Sequence, residues 1–220
     1  DHPDLARLAL PSAQRYAKIA PSSHHAQHMP AHIFIQLGMW SEAAKSNENG
    51  WDTSKKWVER EQIAKSNRDY HSLQWLHYVY SQQGLIRKAE LIFKTQQKDM
   101  LEGIQAAAKS KPNPNLRSGK YYYRMFAATI LETEQWEKAK QLVPPKGWKP
   151  KIFSKAGYGF VRGYAAAMQG NKEAEQYILE LKTIRKKGFQ KNHFSRSEYL
   201  EVWELEIKTA IKLYEKDYEA

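Results

Sequence analysis

Cysteine is absent from this chain, which removes disulfide frameworks, thiolate metal sites and cysteine nucleophiles from the functions open to it. The absence suits an oxidising and a reducing compartment equally, so it fixes no location. Long apolar runs are missing as well. Nothing approaches the roughly 18 consecutive apolar residues of a membrane-spanning helix. Glycine and proline are sparse, 11 and 9 of 220 residues, and the composition is 41% apolar and 12% aromatic. Such a chain can bury a substantial core instead of staying disordered. The alternating pattern of strands is essentially missing. So are the H-E-x-x-H of helical zinc hydrolases and the G-x-S-x-G nucleophile elbow. Gly157-Tyr158-Gly159-Phe160-Val161-Arg162-Gly163 has the wrong spacing for a phosphate-cradling loop, and no strand precedes it. Its small residues, with Ala165–Ala167, suit close packing of helices instead.

What is present is a punctuation mark that recurs along the chain. It reads Gln36-Leu37-Gly38-Met39-Trp40-Ser41-Glu42-Ala43, then Gln83-Gly84-Leu85-Ile86-Arg87-Lys88-Ala89. A degraded copy is Glu134-Gln135-Trp136-Glu137-Lys138-Ala139, and a shortened one is Gln169-Gly170-Asn171-Lys172-Glu173-Ala174. In the first two copies Gly ends one helix in a left-handed cap, a large apolar residue follows two positions on, and Ala sits three beyond that. These residues suit two antiparallel helices that meet at a tight turn, with Ala where the backbones come close.

Around these marks the periodicity predicts helices throughout, and the fold class is all-α. Leu5, Leu8, Ala9, Ala13, Tyr16, Ala17 and Ala20 define a first segment, which Pro11 either kinks or restarts. A helix over about Met29–Leu37 has Pro30 in its opening turn. Gly50 and Asp52 predict a break before Trp57. Further helices are expected over 69–83, 86–109, 120–133, 135–142, 152–169 and 172–187. Ser195 and Glu198 have the spacing of a capping box for a final helix. Its apolar stripe is Tyr199, Trp203, Ile207, Ala210, Ile211 and Tyr214, with Glu198, Glu201, Glu204 and Glu206 early and Lys208, Lys212 and Lys216 late, as the helix dipole favours. Lys111-Pro112-Asn113-Pro114-Asn115 marks a linker. The expected organisation is helical hairpins over 1–110, a linker over 111–119, and further hairpins with a capping helix over 120–220.

On Leu37, Gly38, Trp40, Ala43 and on Tyr80, Gly84, Ile86, Ala89, Phe93 the chain resembles the tetratricopeptide-repeat (TPR) family. The likeness is good over about 28–95, weaker over 120–180 and absent from the final helix. The intervals depart from the family's: 46 residues from Gly38 to Gly84, 50 to Glu134 and 36 to Gly170, against about 34 in a strict array. The resemblance implies a TPR-like α-solenoid of antiparallel helix pairs with irregular repeat length, whose concave face grips a peptide or protein partner without chemistry. A narrower likeness lies in His28-Met29-Pro30-Ala31-His32-Ile33-Phe34, preceded by Asp1-His2-Pro3. It resembles an uncharacterised bacterial group of TPR-containing proteins with an H-x-P-x-H at a repeat start, and no activity comes with it. In that case Asp1 lies inside a longer repeat region, and an upstream export signal would make the protein periplasmic or secreted.

Five of the eight histidines fall within the first 32 residues: His2, His24, His25, His28 and His32. His28 and His32, at i and i+4, share a face if the segment is helical there, though Pro30 puts His28 at the helix edge. A third ligand from His2, His24, His25 or His71 would complete a site for zinc or another divalent transition metal with an open position. Asp1 or Asp69 would supply a carboxylate or orient a ring. His77 reads as a packed residue. Against this metal reading, and its extension to a metal-dependent hydrolase, stands the partner-binding one. There His32, Gln36, Asn67, Trp75 and Tyr78 line a groove and no cofactor is needed. Asn47 and Arg68 are further polar candidates.

The formal charge of +11 is uneven: +3 over residues 1–110, +11 over 111–194 and −3 over 195–220. A partner of opposite sign is drawn to the middle section. Lys120-Tyr121-Tyr122-Tyr123-Arg124 and Lys146-Gly147-Trp148-Lys149-Pro150-Lys151 interleave rings and cations as single-strand binders do. The same spacing makes Tyr122, Phe126 and Ile130 a core stripe, and no nucleic-acid-binding motif accompanies it.

Overall fold

Gly38, Gly84 and Gly170 have φ of +69°, +70° and +64°, and Glu134 occupies the same left-handed region at +52°. All four predicted marks are therefore made by one backbone device. In each, the residue after the left-handed one donates its N–H to a carbonyl five back: Met39 to Phe34, Leu85 to Tyr80, Gln135 to Ile130 and Asn171 to Ala166. That bond defines the Schellman motif and satisfies carbonyls a helix end would leave orphaned. The alanines that follow, Ala43, Ala89, Ala139 and Ala174, are all buried. Small side chains there let the incoming segment lie close on its neighbour.

The computed structural model describes residues 2–108, 118–191 and 193–216. Among them are ten α-helices, three short 3-10 turns and no strand, so the fold is all-α. The helices are α1 (Ala6–Ile19), α2 (His24–His28), α3 (Pro30–Gln36), α4 (Trp40–Arg60), α5 (Tyr70–Gln82), α6 (Ile86–Ala108), α7 (Gly119–Thr133), α8 (Ile152–Met168), α9 (Glu173–Gln190) and α10 (Phe194–Glu215). Among the described residues no helix is long and apolar enough to cross a membrane. The expected linker Lys111–Asn115 and the carboxylate of Asp1 lie outside the described residues.

The chain divides into two compact units, Asp1–Met125 and Phe126–Ala220, the division falling inside α7. In the first unit one apolar cluster joins Ala13, Ala31, Phe34, Ala43, Ala44, Leu76, Val79, Tyr80 and Ala89. A second joins Trp51, Tyr70, Leu73, Tyr121 and Met125. Full burial of a side chain such as Leu73 stabilises by roughly 1.5–3 kcal/mol. The second unit packs α8, α9 and α10 against one another. Gly163 is where they meet: a Cβ on it would stand 2.7 Å from both Ile207 Cδ1 and Tyr177 Cβ. The small residues of α8 thus serve close packing.

Three sequence expectations are corrected. The break at Gly50 does not occur, because α4 runs unbroken for 21 residues. Gly50 is buried there and serves approach by other segments, not a turn. Of the two readings of Pro11, the restart falls away, because Pro11 lies inside a continuous α1. The capping box is not formed: α10 begins at Phe194, one residue before Ser195, and has no side-chain cap.

The stripe of α10 is also rotated from the one predicted. Ser197, Leu200, Glu204, Ile207 and Ala210 are buried, while Tyr199 and Tyr214 are 68% and 56% exposed. The guanidinium of Arg185 on α9 explains the rotation. Its Nε and Nη2 donate to the two carboxylate oxygens of Glu204 at 2.7 and 3.2 Å. An ionised side chain can turn inward when a fork of this kind meets it.

Candidate functional site

The site grows from α2 and α3. Ser23 caps α2, its Oγ accepting the N–H of Ala26 at 3.3 Å. Pro30 has no N–H to give and ends the formal helix, yet Met29 keeps helical angles of φ −54° and ψ −36°. The spiral therefore continues through the proline with one bond missing. His28 and His32 stay one turn apart on the same face, with their Nε2 atoms 3.0 Å apart.

Helix α4 supplies the floor. At Gly50 a Cβ would lie 3.1 Å from the His24 carbonyl and 3.2 Å from His28 Cβ. Only glycine lets α2 settle this deeply, and His28 is fully buried as a result. One turn before, Asn47 fixes the buried ring. Its Nδ2 donates to the Ala43 carbonyl at 2.8 Å, which turns Oδ1 toward His28. His28 Nδ1 then donates to that oxygen at 2.6 Å. With Nδ1 donating to Asn47, the Nε2 lone pair of His28 faces His32 Nε2.

The third ring arrives with α5. Asp69 caps that helix, Oδ1 accepting from the N–H groups of His71 and Ser72 at 3.2 and 3.4 Å. Its Oδ2 accepts from Ser72 Oγ and lies 3.0 Å from His24 Nδ1. One carboxylate thus ties the start of α5 to the start of α2. The His71 ring comes to 4.6 Å from that of His28, centre to centre. A nitrogen from each of His28, His32 and His71 lies within 4.8 Å of the others.

Burial lowers the pKa of His28 to about 4, helped by neighbouring His71 and His32 and opposed by the Asn47 bond. Burial also lowers those of His32 and His71, with Asp69 opposing it at His71. The imidazoles are therefore neutral at pH 7, each with a lone pair to offer. At Asp69 burial alone would raise the pKa, but bonds from His24 and Ser72 and the His24 charge together hold it well below the carboxylate range.

A row of half-buried rings leads away from the cluster. Trp75 stands edge-on to His32 at 4.8 Å and to Tyr78 at 6.2 Å, and Tyr78 in turn to Trp40 at 6.2 Å. Gln36 is half-buried at the end of α3. Asn67 donates its amide to the Ala64 carbonyl in its own 3-10 turn. Arg68 donates to Asp99 at 2.8 Å. His2 lies 3.6 Å from Asp4, both well exposed, and His25 is exposed on α2. His77 is buried in α5, where desolvation lowers its pKa to about 4. Tyr121, Tyr122 and Trp148 are buried as well, so those rings are not open for base stacking.

Sequence reasoning had the i, i+4 histidines and named His71 and Asp69 among possible partners. It missed Gly50, which it took for a break, and the role of Asn47 in aiming His28. Asn49, Trp51 and Asp52 beside Gly50 are weak helix formers, so the local sequence carried no signal for a continuous helix there. No family model, curated protein or solved structure matches the chain.

Proposed function

We propose that the chain is a TPR-like scaffold: stacked antiparallel helix pairs of the α-solenoid type, which hold a peptide or protein partner and perform no chemistry on it. The carrying observation is the shared turn device at Gly38, Gly84, Glu134 and Gly170, each copy followed by a buried alanine. Repetition of one supersecondary unit is how such scaffolds build extended binding faces. In the first unit the row His32, Trp75, Tyr78 and Trp40 supplies half-buried rings of the kind that anchor partners.

Selection of a random peptide library against the chain, with a chelator present throughout, tests this reading. Enriched peptides should lose at least about tenfold in affinity on Trp75→Ala or Tyr78→Ala, since ring anchors are commonly worth 2 kcal/mol or more. The reading fails if no peptide is enriched, or if binding ignores both substitutions.

A further inference from the structure

We infer that His28, His32 and His71 hold one divalent transition-metal ion, zinc or a near neighbour, in a three-imidazole site whose remaining position is open. This goes beyond the scaffold reading and does not rest on it.

The donor type suits such ions. Neutral imidazole binds zinc, copper, nickel and iron well, and magnesium and calcium poorly. The directions suit them too. Asn47 Oδ1 accepts from His28 Nδ1, so Nε2 carries the lone pair and points at His32 Nε2, the other ligand atom. A polar partner on the far ring nitrogen is how metal-ligating histidines are normally held. The spacing is close to that required. A tetrahedral zinc with bonds of 2.0–2.1 Å sets its nitrogens about 3.3 Å apart. His28 and His32 already stand at 3.0 Å, and the full set lies within 4.8 Å. The difference is about 1.5 Å at most, which a rotation of the half-buried His71 ring covers.

The surroundings are organised for the same purpose. Three independent devices converge on the point: the helical turn carried through Pro30, the Gly50 floor with Asn47, and the Asp69 cap that starts α5. A core position that needed only volume would be filled at less cost by an apolar side chain than by a desolvated imidazole. Among the described residues no fourth histidine or carboxylate joins the group. The fourth position of the ion therefore falls to water or to an external donor.

Untagged protein stripped with chelator and titrated with cobalt(II) chloride, then with zinc chloride, tests the site. One cobalt per chain should bind, with the visible bands of a four- or five-coordinate ion, and zinc should displace it. His32→Gln and His71→Gln should each weaken binding at least about 100-fold, since each removes one of three ligands. The unfolding curve of the metal-free protein should stay close to wild type, because both rings are half-exposed. His25→Gln, an exposed ring on α2 beside His28, should change nothing. Wild-type affinity in either cluster variant overturns the proposal, as does binding no tighter than millimolar. Should a variant fail to fold, 15N spectra of the wild type decide. Zinc must shift the ring nitrogens of three histidines, and movement of fewer overturns the assignment.

Discussion

Whether a left-handed residue is glycine decides what each turn costs. At Gly38 a Cβ would meet nothing within 4 Å, so the only penalty of Gly38→Ala is backbone strain, about 1 kcal/mol. At Gly170 a Cβ would in addition require the exposed Tyr214 ring to swing aside. Glu134 already carries the strain, with a side chain at φ +52°. Glu134→Gly is therefore expected to stabilise the second unit, by roughly 0.5–1 kcal/mol after the added entropy of the unfolded chain is deducted. Urea unfolding of the three variants checks this. Opposite signs at positions 38 and 134 are required, and a destabilised Glu134→Gly would mean that the carboxylate has a role the turn geometry does not explain.

Among the helices, legibility followed how local the cause was. The turn marks are local, a helix end and its cap within six residues, and all four were readable, even where Glu134 replaces glycine, because Ala139 keeps its place. His28 and His32 were readable as a pair. Their shared face depended on Met29 holding helical angles before Pro30, which spacing alone does not fix. His71 joins them only through the Asp69 cap, some forty residues along the chain. Gly50 misled because a glycine that breaks a helix and one that admits a neighbouring helix look alike in sequence. The stripe of α10 misled for a related reason: Glu204 was read as an early charge that complements the helix dipole and was left out of the buried stripe, while Arg185 on another helix draws it inward. That pair allows a test at this scale. Glu204 has a side-chain exposure of 3% and Arg185 of 25%. Arg185→Met should destabilise by about 3–5 kcal/mol because it strands a buried carboxylate, whereas Arg185→Met with Glu204→Leu should recover most of the loss. Thermal or urea unfolding reads both. A cost below about 1 kcal/mol for the single change would show that Glu204 can turn out to solvent.

At the scale of the whole chain, the titrating load sits in one unit. His28 and His77, each held near pKa 4 by burial, belong to Asp1–Met125. In Phe126–Ala220 the one histidine, His193, is exposed. Both folded values lie below the ordinary 6.5 of an unfolded chain, so below pH 6.5 the unfolded state binds more protons than the folded one. Their contribution is complete above pH 6.5 and drains away as pH falls toward 4. Asp69, also depressed, adds a loss that starts lower, as pH drops through the unfolded carboxylate value near 4. Each histidine is worth on the order of a few kcal/mol, a sizeable share of the total stability of a small domain. The first unit should thus unfold in mild acid while the second persists. Amide exchange in metal-free protein at pH 7.5, 5.5 and 4.5 measures this: protection in α5 should collapse and protection in α9 should hold. His77→Gln removes one of the depressed titrations of this unit and should flatten the pH dependence of α5. Parallel loss in α5 and α9 would place the acid sensitivity elsewhere than in the buried histidines of the first unit. Added zinc should hold α5 protection to lower pH only in chains that keep His32 and His71, because the ion and the proton compete for the same lone pairs.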